Sequence, residues 1–396
     1  YVTHFRAALR TEARLGSNKC VVDVGEGIGY SSRCCLIFCD WVGAADDEEL
    51  PHRVVLKIPS SLPFRKLMDS LPPGQRLFDG NDAMWEMMEL NLRKTHNVEV
   101  ATYDFFGQFD HVPIPKLYYG KHFEEGEKIG GQICIEYREN SRVMNFHENH
   151  SVELLKQIAR AIGKLNAFSL LKEPMAPELQ KKPKNDSEET NNAKGFSGMF
   201  KGLVTRDKSD KAKHLLDLLD AISPDYMESN FTEPLIEKMQ LRQVLVNGDL
   251  NNNNVLVDKD TGDLVALIDW QCTHLGFGLE DLHRIAMYSL RTEDRHAYFP
   301  ALIKEMYTSM VDNLDGADHS YTLEKLLLLS DLILPQCALH FGASAIAFIS
   351  NHARDPSFSD DEKAKRNDLM MVKLIGALED AIKFDAKNKM LVRNLN

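Results

Sequence analysis

The apolar pattern changes character partway along the chain. Up to about residue 139 apolar residues come in short blocks, as in strands. After His147 they recur at intervals of three and four, as on one face of a helix. RCCLIFCDWV (Arg33–Val42) and RVVLKIP (Arg53–Pro59) read as strands on either side of the acidic turn GAADDEEL. Asn81–Phe106 is long and charged, with Met84, Met88 and Leu92 at helical spacing, and is predicted to be a helix. HVPIPKLYYG and IGGQICIEY return to extended structure. In the second part, Leu155, Ile158, Ile162 and Leu165 mark one buried helix face. Lys172–Lys194, with KKPKNDSEETNN, is polar enough to predict a mobile loop. The most apolar segment, Leu326–Ile349, contains Asp331, Pro335 and His340. This predicts a core helix broken at the proline, not a membrane span. No internal repeats are visible. A strand-rich segment 1–139 therefore precedes a helical segment 140–396, an α+β organisation.

Composition narrows the picture. With 396 residues, 43% of them hydrophobic, the chain can bury a substantial core in two lobes. A net charge of −12 argues against nucleic acid or an anionic membrane as partner, so any phosphate must be held by local features. The seven cysteines are odd in number and include no CxxC pair, and several sit in apolar runs. That is the usage of reduced, buried thiols and predicts a cytoplasmic location. No targeting signal is visible in a chain that begins at Tyr1. His147 and His150, in HENH, have a spacing compatible with a metal. No third ligand lies nearby in sequence, and a solvated helix start is expected.

Three stretches carry chemistry. VLVNGDLNNNNVLVD (Val244–Asp258) has four consecutive asparagines, which alone read as an Asn-Gly turn with a low-complexity tip. The continuation TGDLVALID makes NVLVDKDTGDLVALID a hairpin centred on Thr261–Gly262. That centre sets Val257 opposite Ala266 and Asn254 opposite Asp269, with opposed Cβ atoms roughly 5 Å apart. An amide oxygen and a carboxylate side by side suit magnesium, which takes one or two protein oxygens and completes its shell with phosphate and water. Asp249 lies on the loop feeding the same end. A register shift of one residue would reduce all this to a surface hairpin with an incidental acid.

The second stretch is VGEGIGYSSR (Val24–Arg33). Gly25, Gly27 and Gly29 allow backbone amides to approach an anion. Their GxGxG spacing and the strand-like residues after them fit a turn between strands over phosphates better than a dinucleotide-binding turn, which needs GxGxxG and a helix. The third is Lys57, alone in an apolar strand, which must reach water or an acid. Glu86, Glu89 and Glu99 on the predicted helix are all candidates. A glycine turn, a strand lysine, a helix glutamate, D-x4-N and a hairpin aspartate, in that order, are the parts used for phosphoryl transfer from ATP.

With these motifs in view, the sequence resembles the ecdysteroid-kinase-like and CHK-kinase-like proteins of insects and nematodes, relatives of aminoglycoside and choline kinases. The resemblance runs from VVDVGEGIGYSSR to the carboxy-terminal helices and is greatest to the nematode branch. It implies a bilobal, protein-kinase-like fold with ATP and Mg²⁺ as cofactors. GEGIGY becomes the phosphate-covering loop and Lys57 the phosphate-binding lysine. The match of THNVEVATY to the family's helix motif selects Glu99 as the partner of Lys57. CIEY places an adenine-binding hinge at Glu136, Tyr137 and Arg138. Asp249 becomes the catalytic base, Asn254 and Asp269 the magnesium ligands, and IDWQ the counterpart of the protein-kinase DFG. Asp281, in GLEDL, becomes a structural acid bracing the catalytic loop through backbone hydrogen bonds.

Two departures stand out. The family's loop begins His-Gly-Asp and continues Leu-Trp, whereas Asn247 and Asn251 occupy those places here. Asn247 keeps a donor and an acceptor but loses the packing of the ring. Of the four asparagines only Asn254 has an expected role, and Asn251–Asn253 are left as loop. The implied activity is transfer of the γ-phosphoryl group to a hydroxyl of a small molecule, a steroid-like or other lipophilic alcohol being one such class. The absence of an APE motif after IDWQ agrees with a small acceptor. The alternative is a weak or inactive nucleotide-binding pseudokinase acting as a scaffold or sensor, to which Asn247 points. A dehydrogenase would require a helix after Gly29.

Overall fold

The computed structural model describes residues 2–24, 31–70, 82–124, 130–172, 175–180, 209–229, 232–317, 319–352 and 358–393. The chain forms two compact units: Tyr1–Ser141 with Met175–Leu179 and Val265–Thr273, and Arg142–Pro174 with Gln180–Leu264 and His274–Asn396. The apolar pattern assigns everything after residue 139 to the second. Val265–Thr273 instead folds with the first unit, because Leu267 N–H bonds Pro113 O (2.8 Å) and Trp270 packs against Phe106 with the rings tilted (centroids 5.5 Å).

The first unit begins with α1 (Val2–Leu9), β1 (Arg14–Leu15), β2 (Cys20–Val24), β3 (Ser32–Phe38), β4 (Trp41–Val42) and β5 (Arg53–Pro59). α2 (Leu62–Ser70), α3 (Asp82–Phe106), β6 (Leu117–Lys121) and β7 (Gln132–Glu136) come next. A five-stranded sheet runs β2-β3-β5-β7-β6 with every neighbour antiparallel. Side chains alternate across it. Val54 and Leu56 of β5 point to one face, where Ile37, Cys134 and Phe5 of α1 complete a buried cluster. Lys57, one residue on, therefore points to the other. The run Arg33–Val42 is not one strand: β3 ends at Phe38, and Trp41–Val42 pairs instead with Arg14–Leu15. Cys39 N–H still bonds His52 O beside β5, and the bond from Gly16 N–H to Asp40 O then draws the chain across to β1. The three glycines come after β2 in sequence. Gly25, Gly27 and Gly29 lie outside the described residues, while Val24 and Cys34 on either side are paired.

The second unit contains α4 (Val152–Leu171), α5 (Asp210–Ser223), α6 (Glu233–Lys238), β9 (Val244–Val246) and β10 (Val255–Asp258). β8 (Ser141–Val143) and β11 (Leu264–Leu267) straddle the boundary between units. β12 (His274–Gly276), α7 (Gly278–Ser289), α8 (Thr292–Asn313), α9 (Leu323–His352) and α10 (Asp360–Arg393) complete the chain. The Leu155, Ile158, Ile162 and Leu165 face of α4 is buried. It packs on α8 so closely that a Cβ on Gly163 would lie 2.1 Å from Met306 O. Most of Lys172–Lys194 lies outside the described residues, but 175–180 form a turn whose Leu179 is wholly buried.

Pro335 does not break its helix, and α9 is continuous across it. A proline in mid-helix leaves the carbonyl four residues earlier without its N–H partner. Here that carbonyl, on Asp331, accepts from Asn388 Nδ2 of α10 (3.2 Å), which also reaches Leu332 O (3.3 Å). The cost of the proline is thus met from the neighbouring helix. Asn388→Leu is expected to lower stability by about 1–3 kcal/mol, the penalty for stranding buried acceptors. The loss should shrink in a Pro335→Ala background, which restores the N–H; urea denaturation of the four proteins measures this. Equal losses in both backgrounds would refute the link. Among the described residues no helix is long and apolar enough to cross a membrane.

All seven cysteines are free thiols, but Cys20 and Cys272 are exposed, against the expectation of burial. His150 is also not solvated: it is 4% exposed, and burial pulls its imidazole down to about 4. No group of three or more metal-ligating side chains occurs among the described residues.

Candidate active site

In the first unit three charged side chains meet. β5 carries Lys57 onto the face opposite the core cluster. Buried residues on α3 recur at three and four (His96, Glu99, Tyr103, Phe106), which aims Glu99 inward. Lys57 Nζ donates to both Glu99 oxygens (2.7 and 2.9 Å) and to Asp269 Oδ1 (2.7 Å). Of the three candidate glutamates, Glu99 is the one that reaches the lysine; Glu89 bonds Ser61 instead. Asp269 is a second partner that the motifs do not anticipate. Burial works against the Lys57 ammonium, but Asp269 and Glu99 outweigh it and hold its pKa well above the usual lysine range. Burial is also the largest influence on Glu99 and pushes its carboxyl up, against the pull of Lys57.

Asp269 stands at φ 60, a left-handed conformation that Asp tolerates better than most residues. The next residue holds it there. Trp270 is 1% exposed, its Nε1 donates to Leu267 O (3.2 Å), and its carbonyl accepts from Thr273 Oγ1 (2.7 Å). Gln271 Oε1 accepts from Ser31 Oγ (2.9 Å). IDWQ is therefore an aspartate on a buried anchor. Its carboxylate remains about a third exposed, unlike that of Glu99. At the end of β7, Glu136 turns its carboxylate back to Lys116 N–H and to Arg138, both at 3.2 Å. Tyr137 lies beside the Arg53 guanidinium (5.4 Å), and Arg138 bonds Ile114 O. The side chain of Glu136 is thus engaged within the protein.

The hairpin turn differs from expectation. Asp258 N–H bonds Asp263 O (2.9 Å), and Asp258 Oδ1 accepts from Asp260 and Thr261 N–H (both 2.9 Å). Gly262 takes φ 75. The centre therefore falls at Asp260–Thr261, because Gly262 serves as the left-handed residue of a bulge instead of a central turn residue. Val257 then faces Leu264, not Ala266, a two-residue shift that preserves the alternation. Asn254 belongs to a single 3₁₀ turn (Asn252–Asn254), and Asp269 lies beyond the end of β11. Neither occupies a ladder position, so strand pairing does not set them opposite each other.

In the second unit Asp249 sits on a loop fixed from several sides. Asp281, 4% exposed on α7, accepts Asn247 N–H on Oδ2 (2.7 Å) and Gly248 N–H on Oδ1 (2.9 Å). Burial raises its carboxyl to about 6, with these two N–H groups opposing. Gly248 has φ 77, which explains glycine there. Asn247 Oδ1 accepts Asp249 N–H (3.1 Å), so asparagine organises the turn from inside. Asp249 O accepts from Asn251 Nδ2 (3.0 Å) and Asn254 Nδ2 (2.8 Å).

The asparagine run is not slack. Asn251 caps the 3₁₀ turn, its Oδ1 accepting from Asn253 N–H (2.9 Å). Asn252 is wholly buried, and its Nδ2 lies within 2.9–3.2 Å of the carbonyls of Asn145, Phe146 and Glu148. Its Oδ1 accepts from Ser289 Oγ (3.1 Å). Only long-range contacts assign the role of Asn252. Arg284 also escapes sequence reasoning: its Nη1 donates to Asp249 Oδ1 at 3.1 Å. It lies three residues after Asp281, on the same face of α7, a spacing that could have flagged it.

Comparisons with known proteins bear on the family and the fold. The family described as DUF1679: Uncharacterized oxidoreductase dhs-27 matches residues 3–389. An uncharacterized kinase-like protein of Caenorhabditis elegans is 27% identical over 243 residues, 60% of this chain and 62% of that protein. The match therefore spans less than two thirds of that relative. A choline kinase from Cryptosporidium parvum superposes with a TM-score of 0.54 at 12% identity, over 94% of this chain and 91% of the other. That likeness is one of fold, and the fold is protein-kinase-like. Among the described residues of the first unit, strand β3 comes after the glycines in sequence and the five-stranded sheet is antiparallel, whereas a dinucleotide-binding unit is built on a parallel sheet.

Proposed function

The chain belongs to the DUF1679 family, and we propose that it transfers the γ-phosphoryl group of ATP to a hydroxyl of a small molecule. The observation that carries this reading is Lys57 held between Glu99 and Asp269. A buried lysine with two carboxylates is costly as architecture alone. It makes sense as a phosphate-binding cation oriented by one acid and close to a second acid that binds metal. Gly25, Gly27 and Gly29 would cover the phosphates. Glu136–Arg138 would offer the adenine backbone groups, since the Glu136 carboxylate is engaged elsewhere.

The donors fit magnesium in kind. Asp269 offers a partly exposed carboxylate, and Asn254, with its Nδ2 fixed on Asp249 O, offers its amide oxygen. When bound, the metal neutralises phosphate charge. Asp249 would orient the acceptor hydroxyl and take its proton, with Arg284 holding the carboxylate and Asp281 the backbone beneath it. The pseudokinase alternative rests on Asn247, yet its bond to Asp249 N–H gives the loop internal support without a histidine.

The test is thermal shift with Mg-ATP, then a metabolite-extract screen with labelled ATP. Saturation at a hundredfold Kd should stabilise the protein by about 2.7 kcal/mol. Binding with phosphorylation of some extract component supports the kinase, binding with no product supports the scaffold, and no binding with or without magnesium overturns both. Choline, named for the Cryptosporidium parvum kinase, belongs in the panel beside neutral lipophilic alcohols.

A further inference from the structure

α10 carries a buried stripe of Met370, Leu374, Ala377, Leu378 and Ala381, and in it sits Lys373, 1% exposed. Its Nζ donates to Tyr288 O (2.6 Å) at the end of α7 and lies 3.2 and 3.5 Å from His147 O and Glu148 O. No described carboxylate pairs with it, and burial, with Arg291 adding to it, lowers its ammonium to about 7. An amine placed in a core without a counter-ion is expensive. In return it satisfies three carbonyls that nothing apolar could.

Those carbonyls belong to the same two segments that Asn252 holds. Asn252 Nδ2 bonds the carbonyls of Asn145, Phe146 and Glu148, and its Oδ1 accepts from Ser289, next to Tyr288. Lys373 and Asn252 thus both hold segment 145–148 and the end of α7, and both reach Glu148 O. Asn252 in turn lies between Asn251, which caps the loop, and Asn254. We propose that Lys373 is a positioning residue for the phosphoryl-transfer loop, acting through segment 145–148 and Asn252 on Asp249 and Asn254. The coupling stands on the geometry, while its catalytic meaning rests on the phosphotransferase reading.

The two parts are tested separately. Hydrogen–deuterium exchange of the full chain, with no nucleotide or acceptor, reads the loop amides of Asp249, Asn253 and Asn254. Their acceptors are Asn247 Oδ1, Asn251 Oδ1 and Asn251 O. Lys373→Met should speed their exchange roughly five- to tenfold, as expected for a lost hydrogen bond. Asn252→Ala should do the same, and the double variant should add little to either single change. Faster exchange confined to α9 and α10, or additive effects, would overturn the proposal. If Lys373→Met does not fold, Lys373→Gln, which keeps two N–H donors, is judged on the same loop amides. With an acceptor in hand, Lys373→Met should lower kcat by a larger factor than it weakens Mg-ATP binding, a split that general destabilisation does not produce. Unchanged kcat beside a loosened loop would refute the catalytic part and leave the coupling intact.

Discussion

Asp249→Asn is expected to leave Mg-ATP binding nearly intact and to slow phosphoryl transfer by on the order of 10²–10⁴, the usual contribution of a positioned base. Asparagine can still accept from Arg284, and the backbone bonds that hold the loop do not involve the carboxylate. The substitution therefore removes the proton acceptor and the charge facing Arg284, while those backbone bonds of the loop remain. Asp269→Asn should differ by losing both nucleotide binding and transfer, because a charged metal ligand goes with it. Thermal shift with Mg-ATP, run beside product formation, separates the two. Equal rates for Asp249→Asn and the parent would remove Asp249 from the mechanism.

The largest effect on stability is expected at the buried cluster. Lys57→Met should cost about 3–5 kcal/mol, because it strands Glu99, 2% exposed, without its cation. Asp269 contributes less to that loss, since its partly exposed carboxylate can recover solvent. The effect depends on pH in a defined direction. Burial already pushes the Glu99 carboxyl up, and removing Lys57 takes away the main opposing influence. A carboxyl whose folded-state pKa exceeds its unfolded value favours the folded state increasingly as pH falls through the folded pKa. The gap between Lys57→Met and the parent should therefore narrow from pH 8 to pH 5.5 in urea denaturation. Adding Glu99→Leu should recover most of the loss and abolish that narrowing. A gap that ignores pH and survives the second substitution would show that the cost arises elsewhere.

The elements and much of the chemistry are legible in the sequence because they depend on local spacing. Strand alternation in RVVLKIP puts Lys57 on the opposite face from Val54 and Leu56, and the three-and-four spacing on α3 turns Glu99 inward. Motif order is what leads the proposal toward phosphoryl transfer. Other features escape local reasoning for identifiable reasons. The Thr261–Gly262 pair suggests a hairpin centre one residue too late, because Gly262 forms the bulge and not the turn centre. Pro335 suggests the end of a helix because the rescuing amide, Asn388, lies 53 positions away.

The asparagine run shows the division most clearly. As a string, Asn251–Asn254 is set apart from slack loop only by the hairpin pattern downstream of it. In the structure the first two asparagines do different things. Asn251 turns back on its own loop, while Asn252 holds carbonyls from residues 145–148 and the hydroxyl of Ser289. The sequence by itself determined the fold class and the helix and strand faces. Tertiary structure alone decided that Asp269 shares Lys57 with Glu99, that Arg284 holds Asp249, and that Lys373 faces carbonyls instead of acids. Periodicity specifies the direction in which a side chain leaves its own backbone, but a buried polar group is defined by the partner it meets, and that partner comes from a distant part of the chain.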